Sequence, residues 1–234
     1  PMTVVTAEVL RGVAPRFYGT AAQRQAQIID ALAGEFTTIL NDYEINTDLR
    51  VAHFLAQIIH ESAGLQTTQE FASGAAYEGR VDLGNTVPGD GKRYKGRGVL
   101  QLTGRANYRR YGQILGLDLE GQPHLAAEPL TSLRIACVYW RDRNINPLCD
   151  ADNLVAVTRK VNGGTNGLAD RGRYLAKAKA AIDELVALRA THPQAQVVAG
   201  CTDVGLWITK QHRQYTQVLD VTRAHELRQC QDRG

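Results

Sequence analysis

The sequence predicts a mainly α-helical fold. Apolar residues recur every three or four positions along much of the first 190 residues, as expected for helices that bury one face. Glycine, asparagine and aspartate interrupt this pattern between residues 64 and 98. The chain has 234 residues, of which 44% are hydrophobic. That length is enough for one full-sized core, or for one core with a small appendage.

Two amphipathic helices are predicted first, at roughly 21–42 and at 48–63. The apolar face of the first consists of Ile28, Ile29, Leu32, Phe36, Ile39 and Leu40. The apolar face of the second consists of Val51, Phe54, Leu55, Ile58 and Ile59. Thr47 or Asp48 can cap the start of the second helix, and Gly64 can end it.

The segment 64–98 is predicted to be a long loop or a small β-ribbon. It contains a clear turn signal, Pro-Gly-Asp-Gly, at 88–91. An irregular segment of this length inside a compact domain usually has a function. Helical patterns then resume at about 104–116, 125–142, 152–161 and 168–190.

The last part of the chain breaks the helical pattern. Residues 197–208 favour a β-strand, and the residues after them favour a polar helix that ends at 233–234. We therefore predict one main domain at 1–190 and a C-terminal appendage, 191–234, that packs on it.

Composition argues against several classes of protein. The formal net charge is only +3, which is too weak to indicate a nucleic-acid partner. No apolar stretch reaches the roughly 18–20 residues of a membrane span, and the first residues lack the pattern of a secretory signal. No cysteine or histidine spacing is typical of a metal site, and His53 and His60 lack a third ligand. We expect no metal and no cofactor.

Four cysteines leave the redox state open. The local pairings Cys137–Cys149 and Cys201–Cys230 are the simplest disulfides, because each closes a short segment. The alternative is four reduced and mostly buried thiols.

Glu61 breaks the pattern of its helix. It follows Phe54 by seven residues and Ile58 by three, so it lies on the apolar face. Desolvation and the nearby helix C-terminus would both raise the pKa of this carboxyl group, as suits a general acid. The alternative is a glutamate that pairs with an arginine or lies at a frayed helix end.

A second carboxylate, Glu70, follows nine residues later in the loop. Glycoside hydrolysis uses two carboxyl groups on either side of the scissile bond. A helix end and the next loop can present such a pair to one cleft, although acidic pairs are common in proteins.

Three segments carry a more specific signal. They read FLAQIIHES at 54–62, YKGRGVLQLTGRANY at 94–108 and VNGGTNG at 161–167. These segments resemble, in order, the signatures of family 19 glycoside hydrolases, which include chitinases and many phage endolysins. The short loop at 72–97 is similar to the endolysin-like branch. The resemblance implies a lysozyme-like α-helical fold and an inverting mechanism.

The resemblance also implies roles for particular residues. Glu61 matches the general acid and Glu70 the general base, with Glu78 as a nearby alternative base. Thr103 matches the residue that holds the attacking water. The positions that match substrate-binding or acid-pairing residues are Asn107, Asn162 and Arg171, with Arg173 as an alternative to Arg171. Gln101 is also predicted to bind substrate. Tyr94 is predicted to stack on a sugar ring, with burial in the core as its alternative.

The identity of the glycan depends on a basic cluster, Lys92, Arg93, Lys95 and Arg97, beside the predicted cleft. Peptidoglycan carries lactyl-peptide carboxylates, whereas chitin is neutral. The cluster therefore favours hydrolysis of the β-1,4-linked glycan of peptidoglycan, with a chitinase as the alternative. A non-catalytic glycan-binding protein is a third possibility, against which the intact set of carboxylates argues.

These inferences suggest a biological setting. A wall-degrading enzyme without a visible signal would be made in the cytoplasm and would reach the periplasm through a holin-type pore or a secretion machine. The first route is typical of an endolysin and the second of an antibacterial effector. We expect a monomer whose partner is the glycan strand, together with an immunity protein if the chain is an effector.

Overall fold

The computed structural model describes residues 2–191, 196–198 and 218–220. This part of the chain is mainly helical, as predicted. The helices are α1 (Ala7–Val13), α2 (Gly19–Asp42), α3 (Asp48–Glu61), α4 (Asp90–Arg93), α5 (Arg105–Leu115), α6 (Pro129–Asp142), α7 (Asn146–Asp150), α8 (Leu154–Asn162) and α9 (Leu168–Thr191). No helix of the described part is both long and apolar enough to cross a membrane.

Helix α3 lies at the centre of the fold. Its start is fixed by Thr47, whose hydroxyl accepts a hydrogen bond from the backbone N–H of Arg50. Every residue from Val51 to Ile59 is buried, because α3 packs against α9 on one side and against α1, α7 and α8 on others. A central helix of this kind holds its terminal residue, Glu61, in a fixed position.

The main core joins α3 to the other long helices. Phe54 of α3 meets Phe36 of α2 and Trp140 of α6 in edge-to-face contacts, with ring centroids 6.5 Å and 5.1 Å away. Helix α2 also packs on α6. The Trp140 indole donates a hydrogen bond to the side chain of Asn146, so this large buried ring has its polar group satisfied.

The segment between α3 and α5 is a long loop with short helical turns, so of the two predicted forms the loop is present and the ribbon is not. It contains two short 3₁₀-helices, Ala75–Tyr77 and Val81–Leu83, and the single turn α4. Extended pairing is limited to isolated antiparallel bridges from Arg97 to Gln69 and to Leu102. A second, smaller core lies beneath this segment and is built around the tyrosine rings of Tyr94 and Tyr108.

Several boundaries differ from the sequence predictions for local reasons. The helix predicted at 48–63 ends at Glu61, because Ala63 and Gly64 both have positive φ and Gly64 N–H returns to the Ile59 carbonyl. Pro129 separates the helix predicted at 125–142 into a 3₁₀-helix, Pro123–Ala127, and α6. Helices α1 and α7 were not predicted, because each is too short to show a clear apolar period.

The cysteines and the appendage are described only in part. Cys137 and Cys149 are buried free thiols, so the pairing between them is not present. Burial raises the pKa of both thiols, to about 12 for Cys149. Two short strands, β1 (Gln196–Val198) and β2 (Val218–Asp220), pair in parallel. Within the predicted polar helix, residues 218–220 form β2 instead. The other residues of that helix, together with Cys201 and Cys230, lie outside the described residues.

Candidate active site

The candidate acid, Glu61, is the last residue of α3. Its side chain is 22% exposed, so it lies at the boundary between the core and solvent. Arg171 of α9 is 1% exposed, and its Nη2 lies 2.5 Å from the Glu61 Oε1 atom. The guanidinium stabilises the negative charge of the carboxylate. Glu61 is therefore both partly desolvated and ion-paired. The sequence had offered these two environments as alternatives.

Arg171 is held on all sides. Its Nη1 donates to the side-chain carbonyl of Gln57 at 2.5 Å, and its Nε donates to the backbone carbonyl of Asn166 at 3.0 Å. Gln57 in turn donates from Nε2 to the Thr158 hydroxyl of α8 at 3.2 Å. These contacts fix the plane of the guanidinium, and the guanidinium fixes the orientation of Glu61.

The third signature segment, 161–167, packs against α3, the helix that ends at Glu61. Gly167 has φ +70°, and a Cβ at this position would lie 2.3 Å from the ring of His60. His60 in turn hydrogen-bonds through Nδ1 to Asp170 at 2.7 Å. Glycine is required here by both the backbone conformation and the close approach of the imidazole. Asn162 is exposed at the end of α8, where Gly163 terminates the helix in the left-handed conformation.

The candidate base, Glu70, lies in the loop after α3 and is half-buried. Its Oε1 accepts a hydrogen bond from the backbone N–H of Gly96 at 2.9 Å, and its Oε2 accepts one from the Tyr77 hydroxyl at 3.0 Å. Burial and the hydrogen bond to Glu70 both raise the pKa of Tyr77. Each carboxylate oxygen has further accepting capacity, so Glu70 can also bind a water molecule.

Glu78, the alternative base, has different partners. Its two carboxylate oxygens accept hydrogen bonds from the backbone N–H groups of Gly89 and Gly91, at 2.6 Å and 2.8 Å. These bonds tie the 3₁₀-helix that precedes Glu78 to the turn that begins α4. The geometry gives Glu78 a structural task in the loop and favours Glu70 as the base.

Thr103 and Asn107 lie together in the wall of a cavity of about 160 Å³. The Thr103 hydroxyl donates to the backbone carbonyl of Gln101 at 3.0 Å, and the Asn107 side chain donates to the backbone carbonyl of Thr103 at 2.7 Å. Gln101 also lines the cavity and approaches Gly96, where a Cβ would lie 2.6 Å from its Oε1 atom. These three predicted residues are therefore neighbours in space.

Tyr139 connects this cavity to the third signature segment. It lines the cavity, and its hydroxyl donates to the backbone carbonyl of Val161 at 2.9 Å. Burial raises the pKa of Tyr139, and the negative charge of Glu61 adds to this rise. Tyr139 therefore joins the wall of the cavity to the third signature segment, which begins at Val161.

Tyr94 was predicted to bind substrate, and the structure contradicts this. Its ring is buried in the second core, 5.3 Å from the ring of Tyr108, and its hydroxyl donates to the Glu120 carbonyl. A sugar cannot reach this ring. Tyr94 is instead part of the second core, as the alternative prediction for this ring had it.

The predicted basic cluster is also not one surface patch. Arg97 is buried and donates to the Arg93 carbonyl and the Tyr108 hydroxyl. Arg93 reaches the Gly121 carbonyl, and Lys95 reaches the carbonyls of Glu70 and Ala72. These side chains stabilise loops, because backbone carbonyls in irregular segments need hydrogen-bond donors. Lys92 is exposed and forms no hydrogen bond or ion pair with the residues that the structure describes.

Sequence reasoning missed Gln57, Thr158, Tyr77 and Tyr139. A signal existed for Gln57, because it precedes Glu61 by four residues and is equally out of place on the buried face of α3. Tyr77 and Tyr139 had no such signal. Within residues 2–191, no group of three histidine, cysteine, aspartate or glutamate side chains is placed to hold a metal ion.

Glu61 at the end of α3 and Glu70 on the next loop are a pair of carboxylates of the kind that glycoside hydrolysis uses. The family model described as chitinase class I, of the glycosyl hydrolase 19 family, matches residues 14–171. The chain belongs to glycoside hydrolase family 19.

Individual relatives share this family. A family 19 domain-containing protein of Haemophilus influenzae is 34% identical over 102 residues, which are 44% of this chain and 49% of that protein. An endochitinase of Arabidopsis thaliana is 36% identical over 115 residues, which are 49% of this chain and 39% of that enzyme. The chain thus spans about half or less of the length of these relatives.

Solved structures share the fold. Chitinase C from Streptomyces griseus superposes with a TM-score of 0.57 at 20% identity, covering 78% of this chain and 77% of that one. A further bacterial family 19 chitinase gives a TM-score of 0.55, covering 68% of this chain and 93% of that one.

A second family model, the FAD binding domain in molybdopterin dehydrogenase, matches residues 174–234. Its described part lies mostly in α9, the helix that packs on α3. This match covers about a quarter of the chain and does not show membership of that family.

Proposed function

We propose that the chain hydrolyses β-1,4-linked glycans of N-acetylated amino sugars with inversion at the anomeric carbon, and that bacterial peptidoglycan is its substrate. The observation that carries the proposal is the ion pair between Glu61 and the buried Arg171, at 2.5 Å. A partly exposed carboxyl group held this rigidly suits proton transfer to a glycosidic oxygen.

Glu61 acts as the general acid. Arg171 contacts Oε1, so Oε2 is the oxygen that can carry the proton toward the leaving group. As the glycosidic bond breaks, negative charge returns to Glu61, and the guanidinium stabilises the carboxylate that forms. Gln57 and Asn166 keep the guanidinium in place during this change, so no reorganisation is needed.

Glu70 acts as the general base toward a water molecule. Its hydrogen bonds from Gly96 and Tyr77 orient the carboxylate and leave lone pairs that accept a proton from water. The Thr103 hydroxyl already donates to the Gln101 carbonyl, so its oxygen is available to accept the second water proton. A water held by two acceptors directs its own lone pair at the sugar carbon. Inversion requires roughly 6.5–9.5 Å between the two carboxyl groups to make room for that water.

Asn107, Asn162 and Gln101 are the proposed contacts to the N-acetyl groups of the glycan. Asn107 and Gln101 line the cavity beside Thr103, and Asn162 is exposed at the end of α8. Amide side chains can both donate to and accept from an N-acetyl group, which carries one donor and one acceptor.

Hydrolysis of chitin is the second candidate. The endochitinase relatives of Arabidopsis thaliana favour it. The basic loop no longer distinguishes the two glycans, because most of its side chains bind backbone carbonyls. The preference for peptidoglycan therefore rests on the charges around the cavity.

The proposed substrate determines the proposed location and partners. Peptidoglycan lies outside the cytoplasm, so a monomeric enzyme would meet glycan strands in the periplasm after holin-type release or delivery by a secretion machine. In the second case, an immunity protein in the producing cell would block the cleft.

The test is digestion of purified peptidoglycan and of chitin oligomers, followed by mass spectrometry of the products. We expect soluble muropeptides from peptidoglycan, and the new reducing end identifies the bond that is cut. Glu61→Gln should abolish release while the far-ultraviolet circular dichroism stays unchanged, because glutamine cannot donate the proton. Full activity in this variant would exclude Glu61 as the acid, and binding without hydrolysis in the natural protein would indicate a non-catalytic glycan-binding module.

A further inference from the structure

The cavity that contains Thr103 and Asn107 has arginines in its wall. Arg110 of α5 and Arg143, directly after α6, line it together with Tyr111, Tyr139 and the polar groups of Thr103 and Asn107. A neutral sugar needs hydrogen-bonding groups and apolar surface, which the other lining residues supply. A neutral sugar does not require the positive charges of the two arginines.

The two arginines differ in their partners. Arg110 forms an ion pair with Asp142 at 2.7 Å, and the same carboxylate also pairs with Arg141 at 3.0 Å. Arg143 follows Asp142 directly but forms no ion pair with any residue in 2–191. One carboxylate therefore serves two arginines and leaves the positive charge of the third uncompensated in the described part of the chain.

Arg143 is nonetheless held in place. Its guanidinium carbon lies 3.5 Å from the centre of the Tyr139 ring. Tyr139 is anchored through its hydroxyl to the carbonyls of Lys160 and Val161, at 3.2 Å and 2.9 Å. Stacking on the ring covers one face of the guanidinium and leaves N–H groups at its edge. A planar, prearranged fork of donors matches a carboxylate.

We propose that Arg143 is a specificity-determining residue that binds a carboxylate of the lactyl-peptide substituent of peptidoglycan. The inference rests on the proposed function, since it concerns the same cavity. Chitin has no such group, so Arg143 would favour the anionic glycan over the neutral one. The location fits, because the cavity that Arg143 lines also contains Thr103 and Asn107, two of the predicted site residues.

Binding measurements separate this role from catalysis. In a Glu61→Gln background, which prevents turnover, sedimentation binding is measured on native peptidoglycan and on peptidoglycan whose carboxyl groups have been amidated with a carbodiimide. We expect native walls to be bound about tenfold more tightly than amidated walls. Adding Arg143→Gln should remove this difference, and Arg143→Lys should restore part of it.

Arg109→Gln is the matched control. Arg109 is the neighbour on α5 of Arg110, which lines the cavity, and the two side chains are equally exposed. Arg109 itself pairs with Glu120 and does not line the cavity. Its loss removes one positive charge and should leave the native-to-amidated ratio unchanged. The inference is overturned if Arg143→Gln keeps the full ratio, if Arg109→Gln lowers it equally, or if no preference for native walls exists. Hydrolysis is measured separately with the protein that retains Glu61. If that protein hydrolyses no glycan, the proposed function is contradicted and the binding result is not.

Discussion

Gln57→Leu tests the buried contacts behind the candidate acid. Leucine has a similar size but offers neither the acceptor for Arg171 Nη1 nor the donor for the Thr158 hydroxyl. A hydrogen bond to a charged group contributes about 1.5–3 kcal/mol, and a neutral one contributes about 1 kcal/mol. The free energy of unfolding should therefore fall by about 2–4 kcal/mol, because both Arg171 and Thr158 are buried and water cannot replace the lost partner.

Urea denaturation measures this loss, and Thr158→Val is its matched control. The valine variant breaks only the neutral hydrogen bond, so it should lose about 1 kcal/mol. In the folded fraction of Gln57→Leu, kcat should fall about tenfold with KM little changed, since the guanidinium is less well fixed against Glu61 but touches no substrate. If Gln57→Leu costs no more than Thr158→Val, or if KM rises instead of kcat falling, the proposed support of Arg171 by Gln57 is wrong.

Three further predictions follow from individual contacts. Glu70→Gln should lower kcat at least about a hundredfold, whereas Glu78→Gln should mainly lower the melting temperature. Steady-state kinetics and calorimetry on both variants test this. If Glu78 were the base, the two variants would show the reverse pattern. Burial lowers the pKa of His53 despite its bond to Asp152, so the unfolded chain binds the proton more readily and stability should fall as the pH drops below about 6.5. His53→Gln should make the urea midpoint less dependent on pH between pH 7.5 and 5.5. If the midpoint of this variant varies with pH as steeply as that of the natural protein, the reasoning is wrong. Because burial raises the pKa of Cys137, iodoacetamide should label this thiol only in urea. Peptide mapping measures the labelling. Labelling of Cys137 in the native protein would contradict its burial.

Much of the fold is determined by local sequence. The apolar periods of α2 and α9 appear in the sequence because each helix buries one face, and this face depends only on residues within a few turns. Helix α3 shows the same period, but tertiary packing buries the whole stretch from Val51 to Ile59. Short elements such as α1 and α7 contain too few turns to show a period. The form of the loop after α3 depends on contacts such as that of Glu78 with Gly89 and Gly91, which spacing does not reveal.

The candidate site shows the same division. Sequence by itself identified Glu61 as an anomalous carboxylate and, through its signature segments, the family to which the chain belongs. Tertiary structure decided what surrounds that carboxylate. Arg171 lies 110 positions away in the chain, Tyr94 is buried where a sugar contact was expected, and Arg97 is buried where a basic surface was expected. Periodicity reports which face of a helix is covered, but the identity of the covering side chain depends on packing between distant segments, and that packing sets the charge environment of Glu61.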